Sequence, residues 1–133
     1  MQLVVPVDVA DVVQAWLNSA EVSSCAEPLP YDLASNLPIT LVQPIGGIRG
    51  DVVRDSFSVR LYTWASDEAA SAVESSRAVA ALQAMERQQV GGVFCRSVSI
   101  NALPYPAHDP EHPDLKRMCF TARVGLSSSV VEP

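Results

Sequence analysis

The stretch from Phe57 to Gln89 constrains this chain more than any other, because it reads as strand, sharp stop and long helix. Phe57, Val59, Leu61 and Thr63 alternate with Ser58, Arg60, Tyr62 and Trp64, the period of two expected of a strand with unlike faces. At Ser66-Asp67-Glu68 the chemistry changes to a Ser N-cap followed by two acids, where the helix dipole favours negative charge. The residues that follow hold neither Gly nor Pro up to Gln89 and are rich in Ala. Ala69, Ala72, Val73, Ser76, Val79, Ala80 and Met85 mark one side at helical spacing, a face small enough to lie close on a sheet. A strand feeding such a helix implies a small domain of mixed helix and sheet.

On the amino-terminal side, Leu3, Val4, Val5 and Val7 make an extended lead-in interrupted by Pro6. Asp8 caps a first helix in which Val9, Val12, Val13, Trp16 and Leu17 form the apolar stripe, and Asn18-Ser19 ends it. A connection from Glu21 to Pro38 carries Pro28, Pro30 and Pro38. Ile39 to Gln43 is β-rich and of strand length, and Pro44 is expected to stop it. The segment Ile45-Gly46-Gly47-Ile48-Arg49-Gly50-Asp51 lacks both phosphate-loop spacings and any Lys, so it reads as a hairpin or a partner-touching loop.

Beyond the central helix, Gly91-Gly92 makes a turn. Val93, Phe94, Val98 and Ile100 give a strand whose alternation slips near Cys95-Arg96-Ser97, as at a bulge. A Pro-rich connection from Leu103 to Pro113 leads to a last strand, with Met118, Phe120, Ala122 and Val124 on one face. The tail from Gly125 reads as loose or as a docking arm. The fold class is therefore α+β: a largely antiparallel sheet of about four strands with two helices packed on one face. At 133 residues the chain reads as a single domain, 1–133, with its core at about 8–125. The opposite sheet face and the edges need covering, and oligomerisation is one way to supply it.

Composition excludes some functions. A net charge of −6 disfavours general nucleic-acid binding, which needs Lys and Arg to replace phosphate counterions. No apolar run approaches the roughly 20 residues that span a bilayer, and the amino terminus lacks a basic leader, so the cytoplasm and no membrane partner are expected. Cys25, Cys95 and Cys119 form no CxxC and read as reduced, mostly buried thiols.

Candidate chemistry is sparse. His108-Asp109-Pro110-Glu111-His112-Pro113-Asp114 gathers imidazoles and carboxylates that could ligate zinc, but its prolines forbid the helical i, i+4 geometry of HExxH. A solvated polar loop is the preferred reading, so neither metal nor cofactor is expected. The serines have no G-x-S-x-G context, and Asp51 and Asp55 are weak as an acid/base pair, so no catalytic residue is assigned. Trp16, on an apolar stripe, reads as core. Trp64, beside Tyr62 and Arg60, is balanced between partial burial and a subunit contact.

The order of segments resembles the tail terminator (tail completion) proteins of long-tailed bacteriophages. The resemblance rests on VVQAWLNS, on LPITLVQPIGGI, on FSVRLYTWASDEAASAVESSRAVAALQAM, on the GGVF turn, and on MCFTARVGL after a Pro-rich connection. It covers roughly residues 8–125 and lies in order and spacing rather than in one motif. It implies a structural virion protein, not an enzyme, whose copies form a ring, commonly a hexamer. The ring would cap the head-proximal end of the tail tube, end tube polymerisation and offer the head–tail joining surface. Implied partners are copies of itself, the tail tube protein and head–tail connector proteins, with assembly in the host cytoplasm and residence in the virion tail. A neck protein docking at the portal is the alternative, and a small metal-binding enzyme a more distant one.

Six globules with a radius of gyration of about 14 Å leave a ring hole on the order of 30 Å, wide enough for duplex DNA to pass without specific binding. Acidic residues such as Asp51 and Asp55 are expected to face that lumen. The candidate subunit and tube interface comprises Gly46, Gly47, Ile48, Arg49, Asp51 and Asp55 in the hairpin, with Arg60, Tyr62 and Trp64 on the sheet.

Overall fold

A computed structural model describes residues 3–51, 54–127 and 129–131. The elements run β1 (Leu3–Val5), α1 (Val9–Ser19), β2 (Ser24–Cys25), a 3-10 turn (Leu33–Asn36), β3 (Ile39–Asp51), β4 (Arg54–Ala65), α2 (Glu68–Ala84), β5 (Gln89–Val90), β6 (Val93–Pro106), β7 (Lys116–Ser127) and β8 (Ser129–Val131). Among the described residues the main sheet has six strands in the order β2-β3-β4-β7-β6-β5. The β2–β3 pairing is parallel and the others antiparallel, so the sheet is mixed. The α+β class holds. "About four strands" describes the long ones, β3, β4, β7 and β6, and omits two-residue edge pieces too short to leave a periodic signal.

Both helices cover one face of this sheet. Asp8 caps α1, its carboxylate accepting from the N–H groups of Ala10 and Asp11 at 3.1 and 3.4 Å. The stripe of Val9, Val12, Val13 and Leu17 is buried, as its spacing requires. Trp16 is half-buried, and its indole N–H donates to the Ala81 carbonyl at 2.7 Å, tying the helices together. The core beneath them includes Val42, Val59, Leu61, Phe120, Val124 and Leu82.

The second helix departs from expectation in two ways. Its N-cap is Asp67, not Ser66, with the carboxylate accepting from Ala70 N–H at 2.7 Å. Its buried side is Ser71, Glu74, Ser75, Ala78 and Leu82, continued by Met85, while Ala69, Val73, Ser76 and Ala80 face solvent. In an Ala-rich helix apolarity barely distinguishes the sides; small side chains at 71, 75 and 78 let the backbone approach the sheet, and Leu82 and Met85 fix the rotation. Glu74 is buried at the cost of an ion pair with Arg77 at 2.6 Å.

Pro44 does not stop β3. The strand passes through it and bulges between Pro44 and Gly47. Beyond Leu41 only β4 flanks β3 in the described sheet, so the missing N–H of Pro44 costs no ladder bond on the outer side. Gly46 takes φ +113° in the bulge. The slip expected near Cys95-Arg96-Ser97 is a register shift at that place. β6 then continues to Pro106, through residues expected to be a connection, because its outer edge beyond Phe94 pairs with no described strand.

Nor is the described tail loose: β7 reaches Ser127, and residues 129–131 pair antiparallel with Leu3–Val5. Ser128, Glu132 and Pro133 of that tail lie outside the described residues.

At Gly47 the β3 backbone crosses β4 so closely that a Cβ would run into the Ser56 carbonyl oxygen and the Phe57 backbone. Since backbone cannot yield as a side-chain tip does, Gly47→Ala is expected to cost about 2 kcal/mol, read as a lower midpoint in urea unfolding.

Candidate functional site

The sheet face away from the helices is closed at one end only. There Leu33, Ile39, Leu41 and Trp64 form a second buried cluster, with Leu29, Leu37, Tyr62 and Leu115 packed against it. Trp64 is 1% exposed, and its indole N–H donates to the Asp109 carboxylate at 2.9 Å. Asp109, itself buried, also accepts from Glu111 N–H at 3.0 Å and lies 2.8 Å from His112 Nδ1. The Arg117 guanidinium sits over the Tyr62 ring at 4.2 Å and donates to the carbonyls of Ala107 and His108. Tyr62 and Trp64 thus serve a second core roofed by the connections at 25–38 and 107–115. Trp64 is no part of an open face.

The loop from His108 to Asp114 is a staple rather than a freely solvated segment. Among the described residues, no group of three or more His, Cys, Asp or Glu side chains is placed to hold a metal ion. Burial opposes the Asp109 charge, but bonds from His112, Trp64 and Glu111, with Arg117 nearby, hold its carboxyl below the ordinary value of 3.8. Cys25, Cys95 and Cys119 are free thiols, the last two buried. Burial pushes Cys25 and Cys95 up, away from the reactive thiolate.

The hairpin residues divide. Asp55 is 3% exposed and is gripped by Arg49, Nε to Oδ1 at 2.7 Å and Nη2 to Oδ2 at 3.1 Å. Arg49 Nη1 also donates to the Val4 carbonyl at 3.0 Å. Asp55 is therefore a buried ion-pair partner, not a lumen-facing charge and not half of an acid/base pair. Asp51 is exposed at the hairpin end, 3.8 Å from the Arg54 guanidinium. Gly46 and Gly47 are exposed, as are Ile45 and Ile48, the last at 62%. A groove of about 420 Å³ runs between this hairpin and the lead-in, lined by Pro6, Val7, Pro44, Gly47, Ile48 and Phe57 among others.

Beyond Tyr62, the same sheet face is open. Register places Ser58 beside Arg123, Arg60 beside Thr121, and Ser99 beside Arg123 on the far side. Arg123, Ser97 and Ser99 are exposed, and Ser58, Arg60 and Thr121 half-buried. Arg60 was a candidate interface residue and strand alternation put Ser58 beside it; Arg96, Arg123, Ser97 and Ser99 were not among the candidates. Their signal was the repeated Ser-apolar-Ser pattern, Ser56-Phe57-Ser58 and Ser97-Val98-Ser99, which puts hydroxyls on the face opposite a core residue.

No protein-family model matches the chain, and no curated protein matches it.

Two outcomes follow from the second core. Trp64→Ala is expected to cost about 3–5 kcal/mol by denaturant unfolding, through the lost packing and the stranded carboxylate. Because the folded pKa of Asp109 lies below its ordinary value of 3.8, its stabilisation is complete above that value and is lost as pH falls through the folded pKa. Asp109→Asn, which keeps an acceptor for Trp64, should flatten that acid limb in melting curves taken from pH 5 down to about 2.

Proposed function

We propose that this chain is a structural virion protein whose copies assemble into a ring on the head-proximal end of a phage tail tube. There it ends tube polymerisation and offers the surface to which the head is joined. Six copies is the number the family resemblance implies. The support is the order and spacing of the segments, together with an uncovered sheet face beside an exposed hairpin. That open face carries the reading. It spans β4, β7 and β6 outside the second core, and a second layer would cover it as the helices cover the other side.

The hairpin supplies the contact with the tube. Ile45 and Ile48 are large apolar side chains in solvent, 43% and 62% exposed, set together beside a groove, as at a docking surface. Arg49 and Asp55 hold the hairpin arms together and the glycine bulge sets its bend. DNA crosses the lumen unbound, repelled by a surface of net negative charge. The work is done by shape and docking, with no bond made or broken.

The decisive experiment mixes the purified protein with growing tail tubes and images them by electron microscopy. Capping at one end and arrested elongation are expected, and Ile48→Asp should abolish capping while leaving the melting temperature within a few degrees of the parent. Tubes that elongate as if the protein were absent would overturn the proposal. Binding to portal–connector complexes with unchanged tube growth would place the protein in the neck instead.

A further inference from the structure

We infer that the open sheet face is the seat for the helical side of a second copy of this chain, so that copies join face to back around the ring. This deepens the homo-oligomer part of the proposed function and rests on it.

On the open face, the charged side chains of the three long strands are all of one sign. Arg60, Arg96 and Arg123 stand on the open face, with Ser58, Ser99 and Thr121 between them. Arg96 lies over Gly125 on this side, where a Cβ would run into Ser97 Oγ at 2.6 Å and crowd the Arg96 guanidinium at 3.1 Å. Among the described residues, no strand position on this face from Ser56 to Trp64 on β4, from Arg117 to Gly125 on β7, or from Ser97 to Tyr105 on β6 is Asp or Glu. The acids lie off these strand positions: Glu27, on the roofing connection, accepts from Gln43 beside Arg60, Asp109 and Glu111 stand in the roof over Trp64, and a further set lies on the helical side. Asp8, Asp11, Asp67 and Glu68 are exposed at the two helix starts, and Glu86 just past the end of α2. Arg77 is the one cation within α1 and α2, and it is paired with Glu74.

Shape points the same way. The solvent side of α2 offers Ala69, Val73, Ser76 and Ala80, with Val73 62% exposed. A helix with small side chains can settle between the arginines onto the Ser and Thr positions of the face, its small residues serving as Ser71, Ser75 and Ala78 serve on the other side of α2. The sheet edges are a poorer seat. β3 carries Pro44 and a glycine bulge, and β6 carries Pro104, Pro106 and three register shifts, the devices that blunt an edge against strand addition. Because the two surfaces differ, the contact is heterologous and propagates head to tail, and it closes into a ring when the rotation per copy permits. Duplex DNA is the weaker occupant: three arginines on an otherwise acidic molecule neutralise few phosphates.

The test is sedimentation velocity over a wide range of concentration and salt. The parent should sediment as an assembly several times the 14.3 kDa monomer and dissociate as salt rises. Arg60→Glu/Arg123→Glu should remain folded by circular dichroism and associate about tenfold more weakly or not at all. If that variant unfolds, Arg60→Gln/Arg123→Gln is used in its place, with the same expectation. A Glu68→Lys/Ser76→Lys variant should likewise fail alone, and mixing it with the glutamate variant should restore association. Assemblies unchanged by loss of both arginines would overturn this surface while leaving the ring intact. A parent that stays at 14.3 kDa throughout would overturn the ring, and this inference with it. Retention of duplex DNA by the parent, lost in the arginine variant while assembly persists, would assign the face to nucleic acid and overturn the inference.

Discussion

Two helices can cover one face of a sheet four long strands wide, and among the described residues there is no further α-helix for the second face. Everything about the second face follows from that shortage. One end is roofed by irregular chain, which has no ladder of its own and must be pinned by side chains. The pin is the Trp64 indole bonded to the Asp109 carboxylate, with Arg117 holding the same connection by its carbonyls. The remainder of the face is left to solvent and is built accordingly, from hydroxyls and guanidinium groups set opposite core residues on alternating strand positions.

Strand residues thus carry two unlike duties at once. Along β4, Val59, Leu61 and Thr63 are fully buried under the helices, while their neighbours go from open to roofed as the chain runs from Ser58 to Trp64. Thr63 is tolerated in the interior because its hydroxyl meets that of Thr40 at 2.9 Å. Glu74 and Asp55 are likewise buried and ion-paired, with Arg77 and Arg49, and removing either arginine would weaken the compensation of a buried carboxylate.

The sequence was legible wherever pattern and packing coincide. The stripe of α1, the alternation of β4 and β7, and the slip at Cys95-Arg96-Ser97 all announce their structure, because burial there falls on strongly apolar side chains at one period. The face of α2 was not legible, since Ala and Ser pack inward or outward with little difference in transfer free energy. The fate of Pro44, Pro104 and Pro106 was hidden for another reason: whether a proline breaks a strand depends on whether a neighbour lies on its nitrogen side, which only topology decides. The roof over Trp64 was hidden too, because it joins residue 64 to residue 109 through one long-range bond with no periodic trace. Of the candidate interface, the exposed hairpin and Arg60 stood where alternation put them, whereas Trp64 and Asp55 were claimed by partners distant in sequence or buried beneath the hairpin arm.

The short pairing of β1 with β8 closes nearly the whole chain into one loop, and it is held by few backbone bonds. Its further anchor is Arg49, which grasps the Val4 carbonyl with the guanidinium that also neutralises Asp55. One side chain therefore ties β1, and through it β8, to the turn end of the hairpin. A disturbance that swings the hairpin would loosen that clasp first, before the core senses it, since small peripheral units open at the least free energy.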